Sequence, residues 1–181
     1  MLDYSLPAAF ARLDSLEVRL CLPVNSAARF PLVRNYFAAV SRLGDGVAWY
    51  TLLAVLPLFA GGSAILPCLH MALTGLVGVA IYKFLKQRLV RERPFHSHRG
   101  VRALVSPLDR YSFPSGHTLH AVSFTVMLAH YYPQLMWLIV PFAVSVAVSR
   151  VVLGLHYPTD VLAGGLLGWL LAAGSLALVT F

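Results

Sequence analysis

Residues 149–160 read Ser149-Arg150-Val151-Val152-Leu153-Gly154-Leu155-His156-Tyr157-Pro158-Thr159-Asp160, and this stretch decides the fold. It sets an arginine, a histidine and an aspartate between two uncharged runs. Neither 118–149 nor 161–181 contains a Lys, Arg, Asp or Glu. A membrane-crossing helix needs about 20 apolar residues, and both runs are of that order. Ionisable groups between such runs are costly to place and therefore mark function. His156 and Asp160 are four positions apart, which on a helix puts them on one face, one turn from each other. The bland alternative, a loop that carries charge because loops do, loses ground only when two further clusters upstream are counted.

Composition supports the membrane reading. Hydrophobic residues make up 59% and charged residues 12% of the 181, against about 25% charged in a soluble domain. The length is that of one domain. A net charge of +7 would suit nucleic acid, but little soluble surface exists to display it. The charge is read instead as phosphate-binding and lipid-facing, with no nucleic-acid partner. Cys21 and Cys68 are too few and too far apart for a disulfide framework or a zinc site. Asp3, Arg12, Asp14, Glu17 and Arg19 interrupt the opening residues, so no cleavable signal peptide is expected.

Working outward, residues 46–82 also lack any fixed charge. Gly61-Gly62-Ser63 and Pro67 break this run, which predicts two spans at 47–66 and 68–89. Residues 90–113, polar and rich in Arg, His and Pro, lie outside the hydrocarbon. Further spans are predicted at 114–131, 135–152 and from 159 to the C-terminus, with Tyr131 and Tyr132 as interfacial aromatics. Gly164 and Gly168 would let the last span approach a neighbour closely. Ahead of the spans, 5–22 carries Leu6, Phe10, Leu13, Leu16 and Leu20 on one face, with Arg12, Ser15 and Arg19 on another. Asn25-Ser26 reads as a break. Residues 31–43 repeat the pattern, and Gly44 fits a C-terminal cap. These amphipathic helices are expected on the membrane surface or packed on the bundle. The expected fold is all-α: a polytopic helix bundle of about five transmembrane helices (47–181) plus N-terminal interfacial helices (1–46), in one domain.

Counting sides puts all fourteen Lys and Arg, and every polar cluster, at one end of the bundle. The clusters are Lys86 with Arg93-Pro94, Pro114-Ser115-Gly116-His117, and Arg150 with His156 and Asp160. Pro114 suits the first helical position, which would put Ser115, Gly116 and His117 in the first turn. Free N–H groups and the helix dipole there favour an anion. Gly116 permits close approach, Ser115 adds a hydroxyl, and Lys86, Arg93 and Arg150 add three cations. The residues alone therefore reach a phosphate-sized anion site with two histidines and a carboxylate. The remaining candidates read more plainly. His96 and His98 look solvated and not metal-binding, His120 reads as supporting His117 or lining a pore and not as a catalyst, and His70 and His130 as interfacial on the far side. Arg88, Arg91, Arg99, Arg102 and Arg110 read as headgroup-facing surface charge, and Asp109 as a loop cap.

Lys86-x6-Arg93-Pro94, Pro114-Ser115-Gly116-His117 and Ser149-Arg150-x5-His156-x3-Asp160 resemble, in order, spacing and residue type, the three signature motifs of the type 2 phosphatidic acid phosphatase superfamily. The resemblance covers roughly residues 83 to 160. It implies a phosphohydrolase without metal or other cofactor. His156 would be the nucleophile that forms a phosphohistidine, and Asp160 would fix its tautomer. His117 would protonate the leaving oxygen and then activate water. Lys86, Arg93, Ser115, Gly116 and Arg150 would cradle the transferring group.

The substrate implied is a lipid phosphate or pyrophosphate, with membrane lipids as the surroundings. Undecaprenyl pyrophosphate is favoured by the resemblance to small bacterial members; phosphatidic acid and phosphatidylglycerophosphate are the alternatives. A lipid phosphotransferase of the same superfamily would carry the same residues. A non-catalytic binder of anionic lipid would need only the cations, not both histidines and Asp160. The resemblance implies a bacterial inner membrane and a site on the periplasmic face. The positive-inside rule alone would put these basic residues in the cytoplasm. Nothing in the sequence speaks to oligomeric state.

Overall fold

Proline and glycine set the limits of most helices. The structure, a computed structural model, describes residues 5–179, with side chains from residue 12 onward and that of Phe10. Expectations for residues 1–4 and 180–181, and for Leu6, lie outside this description. The helices are α1 (Ser5–Ser26), α2 (Pro31–Arg42), α3 (Ala48–Ala60), α4 (Ile65–Leu89), α5 (Pro94–Ser97), α6 (Gly116–Tyr131), α7 (Met136–Val152) and α8 (Pro158–Leu178). Pro31, Pro94 and Pro158 each open a helix, where the missing N–H has no partner to lose. Pro67, expected as a break, sits instead in the first turn of α4, the one part of a helix that tolerates it. Among the described residues there is no strand.

The fold is thus an all-α membrane bundle. Three helical stretches are long and apolar enough to cross a bilayer: Pro31–Ser97, Pro133–Val152 and Pro158–Leu178. The first of these is interrupted at two glycines. Gly46 has φ 139 and Gly61 has φ 69, conformations that glycine reaches without a Cβ clash. The cap expected at Gly44 is therefore misplaced: the positive φ belongs to Gly46, while Gly44 packs against Val146. The outward faces of the long helices are apolar, with Leu58, Phe59, Leu73, Leu162 and Leu166 exposed. In lipid this arrangement is no penalty.

α6 occupies the centre of the bundle and touches α4, α7 and α8. At two glycines its seam with α8 brings backbone directly against backbone. A Cβ on Gly164 would lie 2.4 Å from the Ser115 carbonyl oxygen, and one on Gly168 2.2 Å from that of Leu119. The small-residue pair of α8 is thus the surface on which the second motif rests. On the other side Trp49 of α3 stacks on Phe124 of α6, with ring centroids 4.9 Å apart. At the end away from the motifs, His70 is buried, not interfacial as expected. Its ring nitrogens hydrogen-bond Tyr131 Oη and Ser175 Oγ, both at 2.6 Å. That contact ties α4 to α6 and α8.

α1 packs on α5, α7 and α8, but with the inverse of the face a water-soluble helix would choose. Leu16 and Leu20 of its apolar stripe are exposed, whereas Glu17, Cys21 and Asn25 are buried. Asn25 Nδ2 donates to the carbonyls of Arg102 and Val152, at 3.0 and 2.9 Å, and its Oδ1 accepts from Arg102 N–H. The acids turn inward because an arginine waits for them, and the leucine stripe is left outside.

Candidate active site

That arginine is Arg91, expected as surface charge and found 1% exposed. Its Nε and NH2 donate to Asp14 Oδ1, NH2 also to Glu17 Oε2, and NH1 to Asp160 Oδ1 and Thr159 Oγ1, at 2.6–2.9 Å. The guanidinium also lies 4.2 Å above the Tyr157 ring. A buried arginine is stable only when fully partnered, and three carboxylates from α1 and α8 supply that. Arg91 thereby fixes Asp160, whose other oxygen accepts the Tyr157 N–H at 2.9 Å in a capping arrangement at the start of α8. The bend that separates Arg91 from α4 runs through Val90 at φ 45. A β-branched residue there is strained, and the anchored arginines on its far side hold it in place.

From Asp160 the site builds outward to His156, which lies in the short link between α7 and α8 and is 1% exposed. Arg93 NH1 donates to Leu155 O at 2.7 Å and faces His156 Nε2 at 3.3 Å. Arginine is only ever a donor, so Nε2 holds a lone pair and the ring proton sits on Nδ1. Nδ1 lies 3.4 Å from Asp160 Oδ2, close, yet without a hydrogen bond. Burial, then the cations Arg93, Arg150 and Lys86, hold His156 well below the usual imidazole range. A neutral imidazole with an accessible Nε2 lone pair is the nucleophilic form.

The cations converge on the same space. Lys86 Nζ donates to Asp109 Oδ1 at 2.7 Å and to Tyr111 O at 2.9 Å. Arg93 NH2 donates to the same Asp109 oxygen at 2.7 Å. Asp109 is thus more than a loop cap: its carboxylate rests on two of the phosphate-binding candidates. Arg150 NH1 donates to Ser41 Oγ at 2.5 Å, while its Nε is buried without a partner.

The second motif departs from expectation in one respect. α6 begins at Gly116, and Ser115 is its N-cap, not a first-turn residue. Ser115 Oγ pairs with Thr118 Oγ1 at 3.0 Å and accepts the Thr118 N–H, and the residue is fully buried. Its hydroxyl satisfies the helix end and is not presented to a ligand. Its own N–H donates to Asp160 O at 3.0 Å, joining the second motif to the third. The N–H groups of Gly116 and His117, in the first turn, have no intrahelical acceptor.

A cavity of about 390 Å³ opens on these groups. Lys86, Arg93, Asp109, Gly116, His117, Arg150 and His156 line its polar end. Trp49, Tyr50 and Leu53 of α3 and Ala72, Leu76 and Val79 of α4 line an apolar extension. Of the eight residues singled out in the sequence, six stand on the wall; Ser115 and Asp160 stand behind it. His120 lines the cavity too, with its ring between the Gly116 and Gly75 carbonyls. His96, Arg88, Arg99, Arg102 and Arg110 lie at the surface. Asp45 and Ser41, from the turn ahead of α3 and from α2, reach the site unannounced by any motif.

The overall fold is matched by known proteins. A family model described as PAP2 superfamily matches residues 63–181. The chain belongs to the PAP2 superfamily. A crystal structure of a transmembrane PAP2-type phosphatidylglycerolphosphate phosphatase from Bacillus subtilis superposes with a TM-score of 0.72 at 27% identity, covering 96% of this chain and 94% of that one. Aquifex aeolicus LpxE superposes equally well, at 28% identity over 90% of this chain and 95% of that one. By sequence, an undecaprenyl-diphosphatase from Sulfolobus acidocaldarius is 31% identical over 71% of this chain. Undecaprenyl-diphosphatase BcrC from Bacillus subtilis is 30% identical over 64%. The match spans about three fifths of the length of these two relatives, 62% and 60%. The PAP2 match begins at residue 63, so Asp14, Glu17, Ser41 and Asp45 lie outside it.

Proposed function

We propose that this PAP2 protein is a metal-independent lipid phosphatase that works through a phosphohistidine on His156. The observation that carries this reading is the neutral His156 Nε2, ringed by Lys86, Arg93 and Arg150, on a cavity wall shared with His117. A phosphoryl group in the polar end would meet three cations and the α6 N-terminus, the arrangement that stabilises charge spread over its oxygens in transfer. Nε2 attacks phosphorus, and the leaving oxygen takes a proton from His117. Water then gives its proton back to His117 as it breaks the P–N bond. The Asp109 carboxylate occupies Lys86 and Arg93 until an anion competes for them. Residues 1–181 act as one unit in this reading, since Asp14 and Glu17 hold the arginine that anchors Asp160.

The apolar extension between α3 and α4 suits a substrate with a hydrophobic chain, which favours a lipid phosphate over a soluble ester. Among lipids, an isoprenoid pyrophosphate such as undecaprenyl pyrophosphate comes first, supported by the names of the sequence relatives. Phosphatidylglycerophosphate comes second, supported by a structural neighbour. Purified protein in detergent is expected to release phosphate from the isoprenoid pyrophosphate faster than from phosphatidylglycerophosphate or phosphatidic acid, with EDTA present throughout. Loss of activity in EDTA, restored by a metal ion, overturns the mechanism; transfer of label to a lipid acceptor in place of water converts the assignment to a phosphotransferase.

In this reading the membrane is the bacterial inner membrane and the site faces the periplasm. Cys21 and Cys68 are buried, so a cysteine introduced at exposed Gly100 gives a clean probe. An impermeant thiol reagent is expected to label it in intact cells; labelling only after lysis places the site in the cytoplasm.

A further inference from the structure

We infer that Asp45, outside all three motifs, is the positioning residue for His117. This rests on the phosphatase reading above and extends it to a residue ahead of the matched segment. His117 Nε2 donates a hydrogen bond to Asp45 Oδ1. The other ring nitrogen, Nδ1, makes no hydrogen bond among the described residues, and both side chains line the cavity.

The turn that delivers Asp45 accepts few alternatives. Gly46 takes φ 139, and a Cβ there would lie 2.7 Å from the Tyr50 ring. On the other side, a Cβ on Gly44 would lie 3.1 Å from Val146 Cγ1 and 3.5 Å from His117 Cδ2. Flanking glycines thus let the backbone pass close to His117, so a short aspartate side chain reaches the ring. The same segment supplies Ser41, whose Oγ accepts from Arg150 NH1 at 2.5 Å. Residues 41–46 therefore hold one member each of the second and third motifs.

The chemistry follows from which nitrogen is occupied. With Nε2–H on Asp45, the ring orientation is fixed and Nδ1 is the nitrogen left for the substrate. When His117 carries both protons, the carboxylate offsets the imidazolium charge. As the P–O bond to the leaving group breaks and the P–N bond to His156 forms, the Nδ1 proton passes to the leaving oxygen. Nδ1 then takes a proton from water as the O–P bond forms and His156 is released. The proton on Nε2 stays on Asp45's side throughout.

The test pairs Asp45→Asn with His117→Ala, singly and together, on a lipid phosphate and on p-nitrophenyl phosphate. Asp45→Asn is expected to lower kcat on the lipid by about 10-fold or more, with KM little changed. It is expected to cost p-nitrophenyl phosphate far less, because that leaving group departs without a proton. In the His117→Ala background the Asp45 change is expected to add nothing, since paired residues are not additive. Equal losses on both substrates, or a further loss in the double variant, assign Asp45 a purely structural role and overturn the inference. An Asp45→Asn protein as fast as wild type, or faster, overturns it as well. A wild type silent on every substrate sinks the phosphatase reading and this one together; an active wild type with an inert His117→Ala and an unaffected Asp45→Asn sinks this one alone.

Discussion

Replacing His156 with alanine is expected to lower phosphate release on the order of 10³-fold or more, because it removes the only atom placed to attack phosphorus in this mechanism. The fold should survive. The link that carries His156 is held by its backbone, with the Leu155 and His156 N–H groups donating to Arg150 O at 3.0 and 3.1 Å. Arg93 keeps the Leu155 carbonyl and Asp109 when the imidazole goes. Lipid binding should survive too, since Lys86, Arg93 and Arg150 remain. The measurement is turnover of a lipid phosphate beside thermal unfolding and lipid binding for the same preparation. An alanine variant that folds, binds and still turns over at the wild-type rate removes His156 from the mechanism.

Arg91→Ala is expected to destabilise the protein by about 3–5 kcal/mol, the cost of breaking a buried ionic group by deleting one side of it. The deletion strands Asp14, Glu17 and Asp160 together, and Asp160 and Glu17 are almost fully buried. Arg91→Lys should recover little: a single ammonium cannot reproduce contacts made by Nε, NH1 and NH2 to three carboxylates and Thr159. Activity should fall with stability, because the Asp160 backbone meets the Ser115 N–H and its side chain lies beside His156, the proposed nucleophile. Thermal unfolding in detergent, with phosphate release alongside, checks both. A loss below about 1 kcal/mol, the level of an exposed ion pair, means the cluster is not the anchor described here.

These two residues also mark the boundary of what the sequence discloses. His156, His117 and Asp160 stand out because ionisable side chains interrupt apolar runs, and the runs themselves announce α3, α4, α6, α7 and α8 to within a few residues. Arg91 and Arg93 are indistinguishable by that logic. They share one polar run; the motif spacing marks Arg93, and only folding shows that Arg91 turns to the acids of α1. The orientation of α1 was concealed for a related reason: its leucine stripe suits a protein core and a lipid surface equally, and the choice depends on where Asp14 and Glu17 find a partner. Ser115 reads as an anion donor or a helix cap with the same letters, and Thr118 three residues on, which it caps, was the available hint. Asp45 carries only the signal of an acid between two glycines. A turn is legible from that; the histidine it meets, 72 positions away, is not.

The bare seam between α6 and α8 has a bearing on how the bundle responds to the bilayer around it. Backbone rests on backbone where Gly164 and Gly168 meet the Ser115 and Leu119 carbonyls, so no flexible side chain is present there to absorb a change in lateral pressure or bilayer thickness. The spacing between the helices that begin at the second and third motifs is therefore set by peptide geometry. Under the phosphatase proposal, membranes of differing thickness should alter how readily a lipid reaches the cavity between α3 and α4, while the rate constant for bond breaking stays nearly constant from one membrane to the next.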